Sequence, residues 1–154
     1  MSERKEGSRI FNMEPAQDDD VTPLTLSMVE FDGQSAYAIP IIERGTQIPV
    51  AKTIMRSTDM DNQTTIDCVV VQGEVADALK NHIIGHFVIQ NIPALPAGQP
   101  DVAITLEIDY NGIFNIRAEE RTTNTLCTVK VLKSGGLSQD DIDELFNKQL
   151  GGEP

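Results

Sequence analysis

The sequence predicts a mainly β protein: a two-layer antiparallel β-sandwich of about eight strands with a short C-terminal helix. Three observations carry that expectation. Apolar and polar residues alternate in short runs, as where Ile104, Leu106 and Ile108 interleave with Thr105, Glu107 and Asp109, the period of a half-buried strand. Turn-forming residues break these runs at roughly ten-residue spacing, with no helical period between them. The period changes only after Ser134-Gly135-Gly136.

The elements follow in order. Residues 1–19 carry charge, Gly, Ser and Pro with scattered hydrophobes and read as a disordered lead-in. The sandwich is expected over residues 20–134. Leu24, Leu26 and Met28 alternate with polar or small neighbours, and Ala36 to Ile42 is an apolar run. Ile48 to Thr58 and Thr64 to Gln72 are strands flanking a polar loop, "STDMDNQTT". Ile84 to Gln90 follows, until three prolines in "NIPALPAGQP" end it. Asn111-Gly112 predicts a hairpin with a type I′ turn, in which both central residues take positive φ. Phe114, Ile116 and Ala118 continue the buried face on the return strand, and Leu126 to Leu132 closes the set. Over residues 135–154, Ser138 is an N-cap candidate, with Asp140, Asp141, Asp143 and Glu144 near the positive end of a helix. Ile142, Leu145 and Phe146 give it one apolar face, and Gly151-Gly152 the stop. So short a helix is marginal alone in water, which predicts docking on the sandwich or on another polypeptide.

Composition narrows the function. The 154 residues suffice for one domain with its own core. A net charge of -12 argues against nucleic acid, because phosphate binding needs Lys and Arg, and against an anionic membrane surface. No apolar membrane span is present, and "MSERKEGSRIF" has no signal-peptide core, which points to a reducing, cytoplasmic compartment. Cys68 and Cys127 sit among valines and leucines as apolar filler, although strands distant in sequence could bring them together as a disulfide. They lack close partners for a metal, and His82 and His86 read as surface residues. Asp59, Asp61 and Asp67 read as turn and solvent-face acids, too few for a calcium loop. Asn62-Gln63-Thr64 reads as a turn rather than a glycosylation site, and the glycine pairs bracket the helix without forming a phosphate loop. No nucleophile, acid/base pair or metal set emerges. The chain reads as a binding domain.

With the strands laid out, the sequence resembles the peptide-binding β-subdomain of the seventy-kilodalton heat-shock chaperones, the DnaK-like family. The resembling pieces are "DVTPLTL" from Asp20, "GTQIPV" from Gly45, "STDMDNQTTI" from Ser57 and "VVVQGE" from Val69. They continue with "IIGHFVIQNIPALPAGQP" from Ile83, "ITLEIDYNGIFNIRA" from Ile104 and "SGGLSQDDID" from Ser134. The resemblance implies two stacked four-stranded sheets whose loops form a groove at one end. An extended segment of an unfolded polypeptide lies in that groove, held by backbone hydrogen bonds and one apolar pocket. Carried over residue by residue, it implies Ile66 at the pocket centre with Met28, Cys68 and Val102 around it. It implies that Ser57, Gln63 and Thr65 hold the ligand backbone and that Phe31 and Asp59 arch over it, with Glu30, Arg56 and Thr58 also lining the site. One buried Leu-sized side chain contributes roughly 1.5–3 kcal/mol and each backbone bond about 0.5–1.5 kcal/mol. Against the entropy of ordering a peptide, the net is on the order of micromolar.

The family's ATP belongs to a nucleotide-binding domain, so the resemblance implies no cofactor and no ATP hydrolysis in this chain, and only the start of the helical lid. Its implied partners are extended polypeptides and co-chaperones, with self-association through an open groove. Three departures stand out. Arg56 replaces a phenylalanine beside the pocket, and should reach solvent or pair with Asp59, Asp67 or Glu30, because a buried unpaired guanidinium is costly. The stretch from Glu30 to Glu43 is longer than the family pattern. "EPAQDD" stands where the family has a leucine-rich docking linker. Arg56 and this acidic approach also admit a different reading, an adaptor that has kept the sandwich and binds one fixed partner.

Overall fold

The computed structural model describes residues 20–149; the lead-in over residues 1–19 and the Gly151-Gly152 stop lie outside the described residues. Eight strands precede one helix: β1 (Leu26–Asp32), β2 (Ser35–Ile42), β3 (Val50–Arg56), β4 (Ile66–Gln72), β5 (His82–Gln90), β6 (Val102–Ile108), β7 (Phe114–Glu120), β8 (Thr125–Ser134) and α1 (Gln139–Gln149), with a single 3-10 turn at Ala78–Lys80. The fold class is the expected one. Every ladder is antiparallel, in the order β2-β1-β4-β5-β8-β7-β6-β3.

Strand β8 belongs to both halves. Its first residues pair with β7, Cys127 opposite Ala118, and from Thr128 onward it pairs with β5. The ribbon thus folds over on itself around one apolar interior. Leu26 and Met28, Cys68 and Val70, and Phe87 and Ile89 line it from one half; Val102, Ile104, Leu106 and Ala118 line it from the other.

Local chemistry explains the joints. The β1–β2 hairpin closes tightly, Asp32 pairing with Ser35, because Gly33 takes φ +65° at a position where a two-residue turn needs it. β1 therefore runs four residues beyond the alternation visible in the sequence. The Asn111-Gly112 turn forms, but not as type I′: among this pair only Gly112 is left-handed, at φ 82°. Gly112 N–H donates to the Asp109 carbonyl at 2.9 Å, and Asp109 Oδ1 accepts from both Asn111 and Ile113 N–H at 2.9 Å. The aspartate side chain stabilises a type I turn followed by a left-handed glycine, the other common hairpin solution.

Glu120, fully buried, ties the β7–β8 turn to the start of β6. Its carboxylate accepts from Asp101 N–H at 2.7 Å, Thr122 N–H at 3.0 Å, and Thr123 N–H and hydroxyl at 2.9 and 2.7 Å. Burial pushes its pKa up, but the bonds from Asp101, Thr123 and Thr122 outweigh that and hold it at about 2.

Helix α1 is capped as expected. Ser138 Oγ accepts from Asp141 N–H at 3.1 Å, and Asp141 Oδ2 accepts from Ser138 N–H at 2.9 Å, a reciprocal capping box. The helix docks on the sandwich, on the outer face of the first sheet. Leu145 is 2% exposed in a cluster with Val29, Val69, Val71, Ala78 and Ile83, and Phe146 sets its ring edge-on to Phe31 at 5.0 Å. Among the described residues, no helix is long and apolar enough to cross a membrane.

Candidate functional site

The polar stretch between β3 and β4 is a loop held in place by its neighbour. Ser57 Oγ donates to the Pro100 carbonyl at 2.6 Å, and Asn62 N–H donates to the Leu95 carbonyl at 2.9 Å. Gly98 N–H donates to the Thr58 carbonyl at 3.0 Å, Ala97 N–H to Asp61 Oδ1 at 2.9 Å, and Ile92 N–H to the Thr64 carbonyl at 3.1 Å. The proline-rich segment after β5 thus lends its few N–H groups to the polar loop. Within that loop Gln63 is a staple: Oε1 accepts from Asp59 and Met60 N–H at 3.0 and 3.1 Å, and Nε2 donates to the Thr65 carbonyl at 2.7 Å. The side chains of Ser57 and Gln63 are therefore engaged inside the protein. Their bonds rigidify the loop. Thr58 is buried, whereas Asp59 and Thr65 are exposed.

Ile66, the first residue of β4, is half-buried and packs against the interior that contains Met28, Cys68 and Val102. Those three are sealed, at 2, 3 and 0% exposure, so they back Ile66 rather than offer surface of their own. Burial pushes the Cys68 thiol up to about 12, the Arg56 charge pulling it down and Asp67 raising it. Cys68 is neutral apolar filler, and both cysteines are free thiols. A cavity of about 440 Å³ lies elsewhere, against β2 and Phe146.

Arg56 resolves to one of its three candidate partners. Its Nη2 donates to Glu30 Oε1 at 3.0 Å, with side chains 33% and 53% exposed. Glu30 lies on β1 in one layer and Arg56 on β3 in the other, so this ion pair spans the sandwich at the end that carries Ile66. The expected arch of Phe31 with Asp59 is not what the structure displays. Because β1 stays extended to Asp32, its side chains keep alternating: Met28 faces the interior, whereas Val29 and Phe31 face the helix, where Phe31 meets Phe146.

Two residues read as surface groups are not. His86 is 7% exposed, and its Nε2 lies 2.9 Å from Asp67 Oδ1, both side chains 9% exposed. They sit on adjacent strands of the face that α1 covers, with His86 bordering Leu137, Asp141, Glu144 and Leu145. The available signal was an aspartate inside an apolar strand: such a residue is seldom buried without a partner. His82, by contrast, is exposed as expected.

The chain is similar to known chaperones. The Hsp70 protein family model matches residues 11–151. Chaperone protein DnaK of Ureaplasma parvum serovar 3 is 40% identical over 129 residues, covering 84% of this chain and 21% of the relative. Chaperone protein DnaK of Ureaplasma urealyticum serovar 10 has the same identity and coverage. The chain thus spans about a fifth of the length of these relatives.

Proposed function

Because this chain belongs to the Hsp70 family of chaperones, we propose that its β-sandwich holds extended apolar segments of unfolded polypeptides at the end marked by Ile66. The observation that carries this reading is the half-burial of Ile66 beside a pre-tied polar loop. An apolar residue left partly exposed above a sealed core offers a ligand side chain a seat. The adjoining exposed strand end and loop offer main-chain groups to an extended backbone. On this reading Thr65 and the loop from Ser57 to Gln63 act through their backbone and their rigidity, and Met28, Cys68 and Val102 act by shaping the floor. No nucleotide chemistry is assigned to these residues. Two free buried thiols fit a reducing, cytoplasmic setting.

The Arg56–Glu30 bridge favours the second reading, an adaptor with one fixed partner, because it occupies the span a ligand must cross. Titration of several unrelated labelled peptides, each with a leucine centre, separates the two. The chaperone reading expects all of them to bind, on the order of micromolar. Binding of a single sequence, or of none, overturns it.

A further inference from the structure

Neither the core nor the loop staples explain the Arg56–Glu30 bridge. It joins the two layers across solvent-accessible space, where it contributes little to stability. Arg56 is the register partner of Val102, whose side chain belongs to the interior on which Ile66 packs. Its positive charge is felt at the Cys68 thiol. The guanidinium therefore borders the interior on which Ile66 packs, so that a segment entering the seat assigned to the ligand's apolar residue meets it.

The two partners differ in what they lose on separation. Arg56 is the more enclosed, at 33% against 53% for Glu30. A released Glu30 is solvated by water, whereas Arg56 keeps, among the described residues, only a long bond from Nη1 to the Met55 carbonyl, at 3.5 Å, and favours any carboxylate placed beside it, which it can grip with two parallel N–H donors. The net charge of -12 repels such a carboxylate, but repulsion between exposed charges fades beyond about 8–10 Å at physiological salt. A partly enclosed contact near 3 Å is screened less. Asp59 and Asp61 make the rest of the rim acidic, so attraction for an acid is confined to Arg56's own side.

We propose that the Arg56–Glu30 pair is a removable bar across the peptide seat, and that the segments admitted best carry an aspartate or glutamate on one side of the apolar residue. This rests on the peptide-holding reading above. Bar opening exchanges Glu30 for the ligand's carboxylate on Arg56. Selectivity thus departs from that of a hydrophobic wall, which is indifferent to an acid.

The test is fluorescence anisotropy with labelled peptides that share one leucine centre. They carry Asp before it, Asp after it, or Asn at both positions, and each is titrated onto the chain and onto its Arg56→Gln and Glu30→Gln variants. One Asp peptide is expected to bind about three- to five-fold tighter than the Asn peptide, with Arg56→Gln erasing the difference. Glu30→Gln, an exposed and isosteric change, is expected to speed association of every peptide, and added salt to speed the favoured Asp peptide. Binding with no Asp advantage, or with an advantage that survives Arg56→Gln, overturns the bar and leaves the peptide-holding reading intact. Absence of binding by every peptide to all three proteins overturns both.

Discussion

The two faces of β1 meet opposite fates. On one, Val29 and Phe31 lie beneath helix α1, with Leu145 buried and the His86–Asp67 pair enclosed at 9% exposure on each side. On the other, Met28 closes the interior and Glu30 reaches across solvent to Arg56. The first face is shut by apolar area, at roughly 25 cal/mol per Å² removed from water. The second is shut by one screened ion pair, worth about 0–1 kcal/mol. Adjacent residues of a single strand therefore make one contact that is hard to open and one that opens readily.

That contrast can be broken from the helix side first. Leu145→Ala is expected to destabilise the chain by about 2–4 kcal/mol, read as a lower urea midpoint; a loss below about 0.5 kcal/mol would show that α1 adds little to the fold. Next is His86→Ala, which leaves the enclosed Asp67 carboxylate without its imidazole. A loss of about 1–3 kcal/mol is expected, and equal stability of the variant and parent in urea would mean that the pair is hydrated. Glu30→Gln should change stability by no more than about 0.5 kcal/mol, so a large drop in melting temperature would make the bridge structural.

Acid has the smallest expected effect. The bond from Ser138 N–H, with those from Lys133 and the Ser138 hydroxyl, holds Asp141 at about 2 against an ordinary value of 3.8. A carboxylate held down in the folded state contributes its stability above the ordinary value and loses it as pH falls through the folded one. Helix α1 should thus stay capped at pH 5 and loosen between about pH 4 and 2, seen as helical signal lost on acid titration. Asp141→Asn should remove that dependence.

Much of this was legible in the sequence. The alternation at Ile104, Leu106 and Ile108 marked β6, and Ser138 with the acids after it marked the helix start. Turn position was legible at Asn111-Gly112, but turn type was not, because Asp109 supplies the acceptor that makes the type I turn preferable. The candidate site residues came only through family resemblance, whereas Glu30 was among the partners expected for Arg56 because a buried guanidinium needs an acid. Phe31 turned the other way because a strand's faces alternate strictly: once Gly33 closed the hairpin and kept β1 extended, its ring was committed to the helix. His86 and Asp67 are nineteen residues apart and meet only when β4 and β5 pair, so the aspartate inside an apolar strand hints at a partner but does not say which.

Strand β8 carries a consequence of its own. It gives its first residues to one layer and the remainder to the other, so neither layer possesses a complete set of neighbours without it. Melting of either half strips the other of a border strand and bares the shared interior. The sandwich should accordingly come apart in one concerted event, with amides of both layers exchanging at a common limiting rate.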